Sequence, residues 1–199
     1  MSKQNEISTN RIEAFSDGVI AIIITVMIFD LKVHASKEII AETLFALIPK
    51  FISYAVSFVM VAIMWVNHHQ LFHQIKHTDR SLLWYSIHLL FWMSLVPFAT
   101  NFIGEKPFVW QASFCYGFIF FMSAFAFTRL RGYVIKKELL FSTISKQAHL
   151  RIKKKNKIAL GIYLSGALIS SFSVYIAFAC FLIVPAMYVI PEKIIHLEN

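Results

Sequence analysis

Four stretches of this chain run for more than 20 residues without one Asp, Glu, Lys or Arg: 51–75 (25 residues), 81–104 (24), 107–128 (22) and 158–191 (34). A helix rises 1.5 Å per residue and the hydrocarbon core of a bilayer is about 30 Å thick, so about 20 apolar residues cross it. The first three stretches therefore read as single spans. The fourth would measure about 51 Å as a straight helix. Ser170-Ser171-Phe172-Ser173 offers a break that would fold it into a short hairpin. A fifth uncharged stretch, 18–29, has only 12 residues. The reading is an all-α polytopic membrane protein of six transmembrane helices, forming a single domain over 1–199. The helices are expected at about 11–33, 44–72, 80–104, 107–130, 156–171 and 173–191, with a basic connection over 129–157. If the fourth stretch were one helix the count would be five. At 58% hydrophobic and 15% charged residues, against about 45–50% and 25% in a soluble domain, the composition excludes both an aqueous globule and a disordered chain.

The net charge of +8 would by itself suggest a nucleic-acid partner, and its distribution argues against one. With six helices, the two termini and the connections around 76–80 and 129–157 hold 15 of the 19 basic residues and seven of the 11 acidic ones, hence the whole +8. The connections on the other side hold four of each. Lys and Arg gather on the cytoplasmic side of membrane proteins, so both termini are expected in the cytoplasm and the protein in the cell (inner) membrane. The run Lys153-Lys154-Lys155 reads as a surface for lipid headgroups. Val33-His34-Ala35 would suit a signal-peptide cleavage site, but acidic residues precede the first apolar stretch and long spans follow it. Cys115 and Cys180 lie in apolar runs with no C-x-x-C partner, so neither a disulfide framework nor a zinc knuckle is indicated.

The first helix is unlike the others. Its uncharged centre covers about 18 Å by helical rise, with Arg11, Glu13, Ser16 and Asp17 before it and Asp30 and Lys32 after it. Ionisable residues at membrane depth face a bundle interior or a water-filled cavity, which places this helix at the protein's centre. Ile22, Thr25 or Val26, and Phe29 recur at the spacing of one helical face. Two readings stand: a buried seam, or the lining of a pore shared by several subunits, with a hydrophobic constriction. Thr25 would be the one hydroxyl in that stretch, facing a cation or bonding the carbonyl one turn back.

The run Arg11-Ile-Glu-Ala-Phe-Ser-Asp-Gly-Val-Ile-Ala-Ile-Ile-Ile-Thr-Val-Met-Ile-Phe-Asp30, with Phe15-Ser16-Asp17 at its core, resembles the first-helix signature of the transmembrane protein 175 family. Members are potassium channels of bacteria and lysosomes that lack the usual selectivity filter. Trp65, His68 and His69, then Asp79-Arg80 and Pro97-Phe98 also look like that family, so the resemblance covers most of the first 100 residues. One copy of the signature in six helices resembles the bacterial form, in which four subunits build one pore. The resemblance implies a pore constriction and selectivity determinant at Ile22, Thr25, Val26 and Phe29, and a polar network at the cytoplasmic mouth from Arg11, Ser16 and Asp17. The chain departs from the family's pattern at Phe29, where leucine is frequent, and at Ser86, where asparagine is. Independently, the six glycines are scattered singly, so there is no carbonyl-type filter.

The implied function is a potassium-selective or weakly selective cation channel. It would be a homotetramer whose partners are potassium ions and membrane lipids, not nucleic acid, with a hydrophobic constriction as gate and filter. Two alternatives come from other classes. His69, His73 and His77 recur at i, i+4 and i+8, so on one helix face they would suit zinc or haem in a membrane enzyme or redox subunit. No carboxylate or cysteine within that motif completes a shell, and neither metal nor cofactor is assigned. A secondary transporter would need a midplane site at broken helices, and no pair of those is marked. No phosphate loop, nucleophile elbow or His-Glu-x-x-His motif is present, so no catalytic residue is assigned.

Overall fold

The computed structural model describes residues 9–32, 40–140 and 146–189. They form α1 (Thr9–Met27), a 3-10 turn (Ile28–Asp30), α2 (Ile40–Phe72), α3 (Arg80–Ser94), α4 (Val96–Glu105), α5 (Trp110–Lys136), α6 (Lys146–Ile169) and α7 (Val174–Val189). Among the described residues no strand forms; the one bridge, Ile75 to Leu140, ties the chain leaving α2 to the chain leaving α5.

α3 and α4 are two halves of one bent rod, so the rods among the described residues number six. Pro97 has no N–H to give to Met93, and the ladder skips around it: the Leu95 amide bonds the Trp92 carbonyl at 3.3 Å, and the Ala99 amide resumes at the Leu95 carbonyl at 3.1 Å. A proline inside a helix bends it for this reason. α6 and α7 are separated at Ser170–Ser173, where Ser170 bonds Gly166 at 3.1 Å and Ser173 bonds Ile169 at 2.9 Å through their amides. The long fourth stretch is therefore a hairpin, and the six-helix count holds over five. The chain expected to be helical over 11–33 leaves α geometry earlier, at Met27, and the Val33-His34-Ala35 motif lies outside the described residues.

Among the described residues, three rods are long and apolar enough to cross a membrane: Leu47–Phe72, Arg80–Glu105 and Trp110–Lys136. The apolar helix over Val174–Tyr188 is shorter. α1 carries Arg11, Glu13 and Asp17. α5 lies at the middle, packed on α3, α4, α6 and α7, while α1 packs on α2, α3 and α4. Close approach of α5 to the hairpin depends on Gly117 and Gly166. A Cβ at Gly117 would stand 2.6 Å from the Phe181 ring, and one at Gly166 2.8 Å from it. The ring fills the space that both glycines leave.

Two further contacts fix the bundle. Asp79 caps α3 by accepting the Leu82 amide at 2.7 Å and also accepts the Tyr133 hydroxyl from α5. In the buried interior, Thr100 donates to Ser57 Oγ at 2.8 Å, and Ser57 Oγ lies 3.0 Å from the Tyr116 hydroxyl, linking α4, α2 and α5.

Candidate functional site

α1 has two faces with different fates. Ile12, Ser16, Ile20, Ile23 and Met27 are buried against the neighbouring helices, at the 4, 4, 3, 4 spacing of one helical stripe. On the opposite side Ile22 is 62% exposed, Val26 42% and Phe29 67%, and Thr25 is exposed between them. The stripe read as seam or pore lining is thus not the seam of this subunit. Helical spacing places Arg11, Phe15 and Gly18, all exposed, on the same face. Apolar exposure alone would suit lipid. An arginine at one end of a 12-residue uncharged segment does not, because ionisable groups at membrane depth are costly toward lipid.

Thr25 donates its hydroxyl backwards, to the Ala21 carbonyl at 3.1 Å and the Ile22 carbonyl at 3.0 Å. Its oxygen therefore stays beside the backbone of the exposed face.

At the N-terminal end of α1 the structure separates the three residues expected to form one polar network. Ser16 is buried and donates to the Ile12 carbonyl at 2.8 Å. Arg11 is exposed and, among the described residues, forms no ion pair within the subunit. Asp17 accepts the Trp65 indole N–H at 2.9 Å. Glu13, one turn earlier, pairs with His69 Nδ1 at 2.9 Å. The Trp65 and His69 rings stack with centroids 5.8 Å apart. Glu13 and Asp17 are four residues apart, as are Trp65 and His69, so one rung on α1 meets one rung on α2. From the sequence alone Glu13 has no assigned role at the site, and Trp65 is only part of the family resemblance and a packing or interface residue. The signal was there in the two i, i+4 pairs, but nothing in the sequence says that they face each other.

The histidine face expected from the spacing of His69, His73 and His77 forms only in part: the His73 amide still bonds the His69 carbonyl at 2.9 Å and their ring centroids lie 6.1 Å apart, while His77 falls beyond the turn. α2 ends at Phe72, because the chain turns to place Ile75 opposite Leu140, with the Lys76 amide bonding the Leu139 carbonyl at 2.7 Å. His69 remains on the helix and the other two lie beyond it. His68 is fully buried and stacked on Phe72, centroids 4.3 Å apart. His88 accepts the Trp92 indole N–H at 3.1 Å, which occupies it within α3.

Comparison with known proteins gives a consistent picture. Residues 11–97 match the family described as endosomal/lysosomal potassium channel TMEM175. A protein of Chryseobacterium sp. (strain P1-3) named potassium channel is 40% identical over 183 residues, covering 92% of this chain and 93% of the relative. One of Chamaesiphon minutus with the same name is 32% identical over 184 residues, covering 88% and 91%. The human endosomal/lysosomal proton channel TMEM175 is 33% identical over 115 residues, 53% of this chain and 21% of its own length. The crystal structure of a lysosomal potassium-selective channel TMEM175 homolog from Chamaesiphon minutus superposes with a TM-score of 0.78 at 29% identity, covering 91% of this chain and 96% of that one.

Proposed function

The chain belongs to the TMEM175 family, a family of channels and not of enzymes, and from that premise we propose that it is a potassium channel with α1 of each subunit lining the pore. The observation that carries this reading is the exposed face of α1 and the 3-10 turn after it, where Ile22, Val26 and Phe29 stand out while the other face of the helix is packed. Four copies around an axis would turn that face inward as three stacked hydrophobic rings. Such a constriction blocks ions when too narrow to hold water and conducts when it widens. Thr25 lies between the Ile22 and Phe29 rings and supplies the polar contact there. Arg11, Ser16 and Asp17 stand at the mouth, Asp17 and Ser16 bracing the helix while Arg11 faces the axis.

A homotetramer suits this arrangement, since cyclic symmetry gives each subunit an identical share of one axis. The one-sided charge supports cytoplasmic termini and insertion in the cell membrane. The basic segment 129–157 then lies at the headgroups of the inner leaflet.

The test is flux and geometry together. Purified protein in potassium-loaded liposomes should release potassium in proportion to protein, measured against a valinomycin control, and Ile22→Cys should give disulfide-linked subunits on oxidation. Absence of flux, or an oligomer that is not four-fold by native mass spectrometry, would overturn the reading.

A further inference from the structure

We propose that Glu13, Asp17 and His69 form a binding site for a divalent first-row transition metal of the Zn2+ class, and that the bound ion fastens α1 to α2. One ligand atom from each of the three residues lies within 4.8 Å of the others. Two come from successive turns of α1 and one from α2, so the ion bridges elements.

The geometry needs little adjustment. Two ligands bonded to zinc at 2.0–2.2 Å and at a tetrahedral angle stand about 3.4 Å apart. The Glu13 to His69 separation of 2.9 Å and the outer limit of 4.8 Å bracket that value, and side-chain rotation closes the rest. The side chains are held in place by groups outside the triad: the Trp65 indole bonds Oδ1 of Asp17 and stacks on His69. Such outer contacts orient ligands and raise affinity. The site is also reachable, with the His69 side chain 50% exposed and Glu13 21%.

Charge and ligand type select the ion. Two carboxylates face one imidazole, which leaves negative charge when the imidazole is neutral. Imidazole is a good ligand for zinc, nickel, copper and iron and a poor one for magnesium and calcium. The histidine motif read from sequence lacked a carboxylate; the fold supplies two from another helix.

Metal binding stands independently of the channel reading; its effect on ion flow rests on that reading. A ligand that prefers one arrangement of α1 against α2 shifts the population toward it. Asp17 is five residues before Ile22, so the clamp acts about one and a half turns from the first constriction ring.

The experiment uses the full chain, purified in detergent, stripped with chelator and titrated with Zn2+ under equilibrium dialysis with elemental analysis. One zinc per subunit is expected, with a raised thermal midpoint. Glu13→Gln and His69→Gln should each bind at least about tenfold more weakly, while His73→Gln and His77→Gln bind as the parent does. Saturable binding below one ion per subunit, or binding that survives both Glu13→Gln and His69→Gln, overturns the site. In case those variants fail to fold, Co2+ on the unaltered protein provides a second readout: visible bands displaced by Zn2+ and a paramagnetically shifted histidine resonance are expected, and their absence overturns it. Zinc should change potassium release from liposomes in the parent and not in His69→Gln; equal effects would overturn the clamp. A protein that counts one zinc yet passes no potassium in its absence would refute the channel reading and leave the site standing.

Discussion

Trp65 on α2 and Asp17 on α1 are joined by an indole-to-carboxylate hydrogen bond of 2.9 Å, one of two ties, with the Glu13–His69 pair, between the polar end of the first helix and the second. A hydrogen bond to a charged group contributes about 1.5–3 kcal/mol. Trp65→Phe keeps most of the apolar body and removes the donor. It should lower the thermal midpoint of the solubilised protein by several degrees without loss of helical circular dichroism. An unchanged midpoint would show that Asp17 finds equivalent partners elsewhere.

The exposed stripe on α1 sets the second expectation. Ile22 is 62% exposed in the subunit, so Ile22→Asn costs the fold little and, in the proposed pore, would replace an apolar ring with an amide ring. Basal potassium leak should rise at least about tenfold, as a barrier lowered by about 1.4 kcal/mol would give, and discrimination against sodium should fall. Liposome flux with either cation reads both. A buried seam residue would instead unfold the protein.

Gly117 and Gly166 admit the Phe181 ring from two sides, with prospective Cβ positions 2.6 and 2.8 Å away. The ring is buried and retreat from one glycine drives it into the other, so Gly117→Ala should destabilise by about 1–3 kcal/mol, as overpacking does. Phe181→Leu added to it should recover part of the loss. Thermal midpoints of the two single variants and the double variant decide whether the effect is this clash.

Ser57, Thr100 and Tyr116 make a small buried network. Thr100 can also donate to the Val96 carbonyl at 2.8 Å, so in Ser57→Ala it is the Tyr116 hydroxyl that loses its partner oxygen and keeps only the weaker acceptor Met60 Sδ at 3.5 Å. Leaving a buried hydroxyl wholly unsatisfied costs about 1–3 kcal/mol and the remaining sulfur contact offsets part of that, whereas removing both partners is nearly neutral. Ser57→Ala should therefore be more destabilising than Ser57→Ala with Tyr116→Phe, measured by thermal unfolding in one detergent.

The helices were readable because charge is expensive in lipid and therefore marks where each helix stops. The bend at Leu95 follows from Pro97, and the α6 to α7 turn follows from three serines in a stretch too long for one crossing. The early end of α1 at Met27 had no comparable marker, since 18–29 contains neither proline nor charge. Periodicity identified the Ile22, Val26 and Phe29 face but left its surroundings open, because one apolar stripe serves equally as a seam or as a lining. The equally apolar stripe through Ile20, Ile23 and Met27 is the one that packs. The meeting of Glu13 with His69 spans 56 positions of sequence and depends on how α1 leans on α2, which no local pattern encodes. The histidine spacing held from His69 to His73, whose rings remain neighbours, and failed at His77, where a helical interval was read past the end of the helix.

Thr25 commits its only hydroxyl hydrogen to carbonyls of the preceding turn. A hydroxyl in that posture has ceased to be amphoteric. It has no proton left to offer outward, and what it turns to its surroundings is lone-pair density. In the proposed pore a cation that has shed a water would find at that level an oxygen to replace it, and a chloride would find no proton.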